Sequence, residues 1–127
     1  EADVYTPEGV KNFQNFITDS TLYRMFIMGV YQLFVALDQG KVIGMITLRD
    51  STHISLLFVD ERYHRRGIGR GLIKYLTEYL LSEVGASKVT VNASPYGVEF
   101  YHKLGFKDIR SEEKKDGIIY TPMEFIL

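Results

Sequence analysis

Val59-Asp-Glu-Arg-Tyr-His-Arg-Arg-Gly-Ile-Gly-Arg-Gly-Leu72 holds three glycines within five residues, flanked by arginines. Before it, His53-Ile-Ser-Leu-Leu-Phe-Val59 is apolar and β-branched enough for a buried strand. After it, Leu72, Ile73, Leu76, Leu80, Leu81 and Val84 recur at helical spacing, and Gly85 supplies the stop. A strand, a glycine-rich turn and a helix start form a site for phosphate. Glycine lets backbone N–H groups approach an anion, and the helix N-terminus adds unpaired donors and the positive end of its dipole. A nucleoside-triphosphate loop needs Lys-Ser or Lys-Thr after its glycines, and neither follows here. In Gly67-Ile-Gly69-Arg-Gly71 the third glycine comes one residue too early for a dinucleotide fingerprint.

The 127 residues suffice for one domain with a real core, and the expectation is a single domain over 1–127. Fifteen basic and sixteen acidic residues nearly cancel, which gives no general electrostatic drive toward nucleic acid or an anionic membrane. No apolar run is long enough to span a bilayer. Cysteine is absent, so disulfides, cysteine nucleophiles and thiolate metal sites are excluded within this sequence. That is compatible with a reducing cytosol, and a cytoplasmic location is the expectation. His53, His64 and His102 show no metal-ligand spacing, and no metal is expected.

Along the chain, Thr6-Pro7-Glu8 reads as a helix start, with Val10, Phe13, Phe16 and Ile17 on one face. A short second helix runs through Tyr23–Met28 to Gly29. Strands Gln32–Leu37 and Val42–Leu48 flank the hairpin turn Asp38–Lys41, and the polar turn Arg49–Thr52 leads into His53–Val59. Lys88–Val91 is a short strand. Ser94-Pro95 opens a helix through Val98, Phe100, Tyr101 and Leu104, closed by Gly105. Phe106–Ile109 begins a further strand, Glu112–Gly117 is a charged hairpin tip, and Ile118–Leu127 is the last strand. Pro122 within it predicts an edge position or a bulge.

A second segment joins the glycine loop. Phe100-Tyr101-His102-Lys103-Leu104-Gly105-Phe106 closes a strand–loop–helix unit that starts at Val89. With the loop His64-Arg-Arg-Gly67-Ile-Gly69, it resembles the GCN5-related N-acetyltransferase (GNAT) family from about Gln32 to Leu127. The family pattern has Gln or Arg where His64 stands, and often Asn where Pro95 stands.

The resemblance implies an α/β fold of the α+β type. Its twisted, mostly antiparallel sheet is splayed between the family's fourth and fifth strands, here His53–Val59 and Lys88–Val91. It also implies a preceding strand and helix that this sequence does not show, so the intact protein is expected to be longer at its N-terminus. The implied activity is transfer of an acetyl group from acetyl-CoA to a primary amine, by direct attack in a ternary complex. The implied acceptor is a small-molecule or peptide amine, with a homodimer left open. The rival is a non-catalytic acyl-CoA-binding or protein-interaction module with the same fold.

The resemblance also assigns residues. His64, Arg65, Arg66, Gly67, Ile68, Gly69, Arg70 and Gly71 map to the coenzyme A pyrophosphate loop. Leu57, Phe58 and Val59 supply main-chain contacts to the thioester. Asn92 and Ser94 stand where they could bond the pantetheine or cap the next helix. Tyr101 occupies the general-acid position and also borders the coenzyme. His53 lies where histone-type members place a glutamate base, and an imidazole suits that task. Strict alternation would put His53, Ser55 and Leu57 on one face of the strand. Asp60 and Glu61 read as solvated turn acids, and His102 as an exposed, inert side chain.

Overall fold

The hairpin turn forms at the expected place. Gln39 and Gly40 both take positive φ, 51° and 79°, the twist that a two-residue turn needs between right-twisted strands. The computed structural model describes residues 31–127, and the two lead-in helices expected over 6–29 lie outside them. The turn joins β1 (Tyr31–Asp38) to β2 (Lys41–Arg49), which pairs antiparallel with β3 (His53–Val59). Helix α1 (Ile68–Tyr79) follows the glycine loop and continues as one π-helical stretch, Leu80–Val84, before Gly85 stops it at φ 70°. Then come β4 (Lys88–Ala93), α2 (Val98–Lys103), β5 (Lys107–Asp108), β6 (Glu113–Lys115) and β7 (Ile118–Ile126). The sheet order is β1-β2-β3-β4-β7-β5, with β6 paired to β7.

One face of the sheet carries the core. Ile46 and Leu48 of β2, Ile54 and Leu57 of β3, and Val89, Val91 and Ala93 of β4 pack with Leu72, Ile73, Leu76 and Leu80 of α1. Tyr101 and Phe106 join them from α2 and its exit. Burying each such leucine or isoleucine contributes about 1.5–3 kcal/mol, which fixes both helices on this face.

Two expectations are corrected. Ile54 and Leu57 are three residues apart yet share the core face. The reason is a bulge: Leu48 pairs with Ile54 and Thr47 with Leu56, so Ser55 is an extra residue. Its hydroxyl lies 2.6 Å from that of Thr47. His53 therefore does not share a face with Leu57. The second correction concerns Pro122, which is not on an edge strand, because β7 lies between β4 and β5. Its carbonyl accepts from Ile109 N–H at 2.8 Å, so its nitrogen also faces the β5–β6 side. There it meets the interruption between those two strands, where the missing N–H costs no ladder bond.

Gly105 ends α2 at φ 100°, and a Cβ there would stand 3.1 Å from Phe125 Cε2. Gly105→Ala should destabilise the fold by about 1–3 kcal/mol through backbone strain and this approach. Urea denaturation of the two proteins measures the difference.

Candidate active site

The site opens where two strands part. β3 and β4 are parallel, but their register holds only at His53↔Thr90 and Ile54↔Val91. Beyond that point β3 continues to Val59 with β2 alone, and β4 continues to Ala93 with β7 alone. The gap is lined by main chain. Asp60 N–H donates to Ile43 O at 2.7 Å, so Asp60 faces β2. Successive strand residues alternate in direction, which turns Leu57 and Val59 toward the gap and Phe58 toward β2. The Phe58 carbonyl indeed lies against Gly44 of β2. Of the three residues assigned to main-chain contacts, Leu57 and Val59 thus address the gap and Phe58 does not.

The loop after β3 is shaped by its own residues. Asp60 caps a single 3-10 turn, accepting from Arg62 N–H at 2.9 Å and pairing with the Arg62 guanidinium. This holds its carboxyl below the usual range. His64 then folds back, its Nε2 3.2 Å from the Val59 carbonyl. Arg65 and Gly67 take positive φ, 62° and 76°, and α1 starts at Ile68. Gly67 is its N-cap, no side chain caps the first turn, and no acid stands in it. An α-helix cannot bond its own first N–H groups, so these donors are directed outward at the loop. Arg65, Arg66 and Arg70 are exposed around them.

Two further residues hold this loop. The Arg66 guanidinium carbon sits 5.2 Å from the Tyr63 ring centroid, and Tyr63 OH donates to Asp38 Oδ2 at 2.7 Å. Neither Tyr63 nor Asp38 stood out in the sequence, because their contact spans 25 residues and belongs to no local pattern. Opposite the loop, α2 closes a cleft of about 510 Å³.

The remaining candidates fall on two faces. Tyr101 is buried in the core beneath α2, its ring edge-on to Phe100 and to Phe106, both at 5.1 Å. His53 is half-buried on the opposite face, with Nδ1 2.8 Å from Thr90 Oγ1. Burial, and next the Arg49 charge, lower its pKa from 6.5, against a weaker pull from Asp50. His53 thus sits where β3 and β4 are still paired, opposite Thr90, and the gap opens beyond it. Ser94 Oγ accepts from Gly97 N–H at 3.2 Å and so caps the approach to α2, while Ser94 and Asn92 border a separate pocket with Ile118, Ile119 and Tyr120 of β7. His102 pairs with Asp108 at 2.6 Å. Among the described residues no group of His, Asp and Glu could hold a metal ion.

The family model described as "Acetyltransferase (GNAT) domain" matches residues 1–127. This chain belongs to the GNAT family. Among its relatives is an uncharacterized N-acetyltransferase, YafP, of Escherichia coli K12, 32% identical over 81 residues. The match covers 64% of this chain and 49% of that protein, so the chain spans about half the length of this curated relative. A GCN5-related N-acetyltransferase crystal structure from Rhodopseudomonas palustris superposes with a TM-score of 0.72 at 29% identity, over 99% of this chain and 79% of that one. The PaiA N-acetyltransferase of Thermoplasma acidophilum, solved with coenzyme A, superposes at 0.70 and 19% identity, over 97% and 80%. The expected fold is therefore present: a seven-stranded mixed sheet with flanking helices. The uncapped start of α1, its acid-free first turn and the three arginines together present donors and positive charge suited to an anion.

Proposed function

We propose that this chain is an acetyl-CoA-dependent N-acetyltransferase acting on a primary amine by direct attack in a ternary complex. The observation that carries the reading is the gap between β3 and β4, opening directly beside the uncapped start of α1. One anchors an anionic end, and the other admits an extended arm to main-chain donors. Acetyl-CoA supplies the thioester.

The chain's own groups then have distinct tasks. Backbone N–H groups from Arg66 to Arg70, with the arginines, hold the diphosphate. Gly71 is excluded from the expected set, because its N–H donates to Gly67 O at 2.9 Å. The N–H groups of Leu57 and Val59 meet the carbonyl and the oxyanion that develops from it. His64 fixes the Val59 carbonyl and so sets the direction of that strand end. In the tautomer whose Nδ1–H donates to Thr90 Oγ1, His53 keeps an Nε2 lone pair to take a proton from the amine, directly or through water. Tyr101 returns a proton to the departing thiolate from the other side of the gap. The sequence holds no cysteine to carry an acetyl group, in keeping with direct transfer.

The test is thiol release from acetyl-CoA across a panel of amines. No release with any amine, in a protein that binds coenzyme A, would favour the binding module. With an accepted amine, pH distinguishes the base. The folded pKa of His53 is lowered, so the residue stays neutral through pH 7 and the acidic limb should fall below 6.5. Between that lowered value and 6.5 the unfolded chain binds more protons, so stability rises with pH across the same window. His53→Gln should flatten both dependences. An unaltered acidic limb would move the base to another group.

A further inference from the structure

The first hairpin and the glycine loop meet at one side chain. Tyr63 OH donates to Asp38 Oδ2 at 2.7 Å, and Asp38 is the last residue of β1. The same ring carries the guanidinium of Arg66, whose carbon lies 5.2 Å from its centroid. The hydroxyl pins one end of the ring, so the surface on which Arg66 rests is itself held. Asp38 in turn is placed by the hairpin, where it pairs with Lys41 across the Gln39-Gly40 turn.

The arginines of this loop are held in different ways. Arg62 is paired with Asp60, its Nη2 3.3 Å from Oδ2. Arg65 takes a φ of 62°. A residue other than glycine keeps that conformation only where its surroundings over-determine it. His64, bonded to the Val59 carbonyl, fixes the chain before Arg65, and Arg66 on Tyr63 fixes it after. Stacking uses the flat face of a guanidinium and leaves its N–H edges free. Arg66 therefore has its fork oriented before an anion arrives.

We infer that Tyr63 and Asp38 are positioning residues for the diphosphate, and that they act through Arg66. Neither needs to touch the ligand. They reduce the side-chain freedom that Arg66 would otherwise lose on binding, which raises affinity without adding a contact. This rests on the acetyl-CoA reading above, but the two fail differently.

Calorimetry with coenzyme A measures the effect. Tyr63→Leu removes both ring and hydroxyl, and should weaken coenzyme A about fivefold, the scale of one side chain left to be ordered on binding. In an Arg66→Gln background the same substitution should cost nothing further, because the group it positions is gone. Asp38→Ala should weaken binding in the same direction. Asp38→Asn should restore it, since an amide oxygen still accepts from the Tyr63 hydroxyl. With an accepted amine, KM for acetyl-CoA should rise in Tyr63→Leu while kcat holds. The Tyr63–Asp38 bond is exposed, so these variants should melt near the wild type. Wild-type affinity in Tyr63→Leu would overturn the inference. So would an equal loss in both Arg66 backgrounds, which would give the ring a role in the path of the loop and none in the arginine. A wild-type protein that binds no coenzyme A would overturn the acetyl-CoA reading, and the inference with it.

Discussion

Tyr101→Phe should lower acetyl-transfer turnover roughly a hundredfold, the usual worth of one general acid, with coenzyme A affinity nearly unchanged. The substitution is conservative in packing. Tyr101 is 2% exposed, and its ring contacts with Phe100 and Phe106 are made by carbon atoms that phenylalanine keeps. Only the hydroxyl is lost, at a stability cost of about 1 kcal/mol for one hydrogen bond. A phenol carries its proton at neutral pH, which is the state required to protonate a thiolate. Turnover must be measured with an accepted amine under conditions where chemistry limits the rate. If kcat falls and KM for acetyl-CoA holds, the hydroxyl acts in the transition state. Wild-type turnover would assign the proton to water or to another residue.

The loop and its helix were legible because their physics is local. Positive φ at Gly67, and apolar spacing from Leu72 to Leu80, need nothing beyond neighbouring residues. The strand ladder was legible for a similar reason, since Gln39-Gly40 fixes the first hairpin. The face of His53 was not. It depends on the extra residue Ser55, and no residue type in β3 announces a bulge. Strict alternation pairs His53 with Leu57, whereas the bulge sends one toward Thr90 and the other into the core. Pro122 misled in the opposite way. Its missing donor predicts an edge or a bulge; the edge fails, and the donor position falls beside a break between β5 and β6. The cleft wall of Tyr96, Glu99 and Lys103 was also hidden, because the short α2 acquires its meaning only from the loop it faces.

The site gains a consistency that separate motifs do not supply. His64 stands inside the loop, yet its ring is bonded to the last carbonyl of β3. Arg66 stands in the same loop, yet Tyr63 and Asp38 tie it to the end of β1. The glycine loop and the strand end beside the gap are thus joined through a few short contacts. Displacing the loop should disturb both, which is why a test of the loop needs variants that leave its backbone path intact.

Gly69→Asp and Arg70→Glu are two such variants, and each should weaken coenzyme A binding about a hundredfold or more. Gly69 lies in the first turn of α1, two residues after the left-handed Gly67, so an aspartate there sets a carboxylate among the donors that face the diphosphate. Like charges brought together at an interface cost several kcal/mol, enough for that loss. A negative charge in the first turn is favourable to the helix itself, so electrostatics does not unfold α1. Bulk is the remaining concern, because Gly69 is buried, and Gly69→Ala measures it alone. Arg70→Glu avoids the concern, since Arg70 is exposed on the same turn and lines the cleft. It reverses a charge and adds no atom to the core. Calorimetry with coenzyme A, beside a thermal melt of each protein, reads affinity and folding separately. Full affinity in both charged variants would place the diphosphate away from the loop. Loss of affinity in Gly69→Asp alone, with Gly69→Ala equally weak, would reduce the effect to steric fit and remove the arginine from the site.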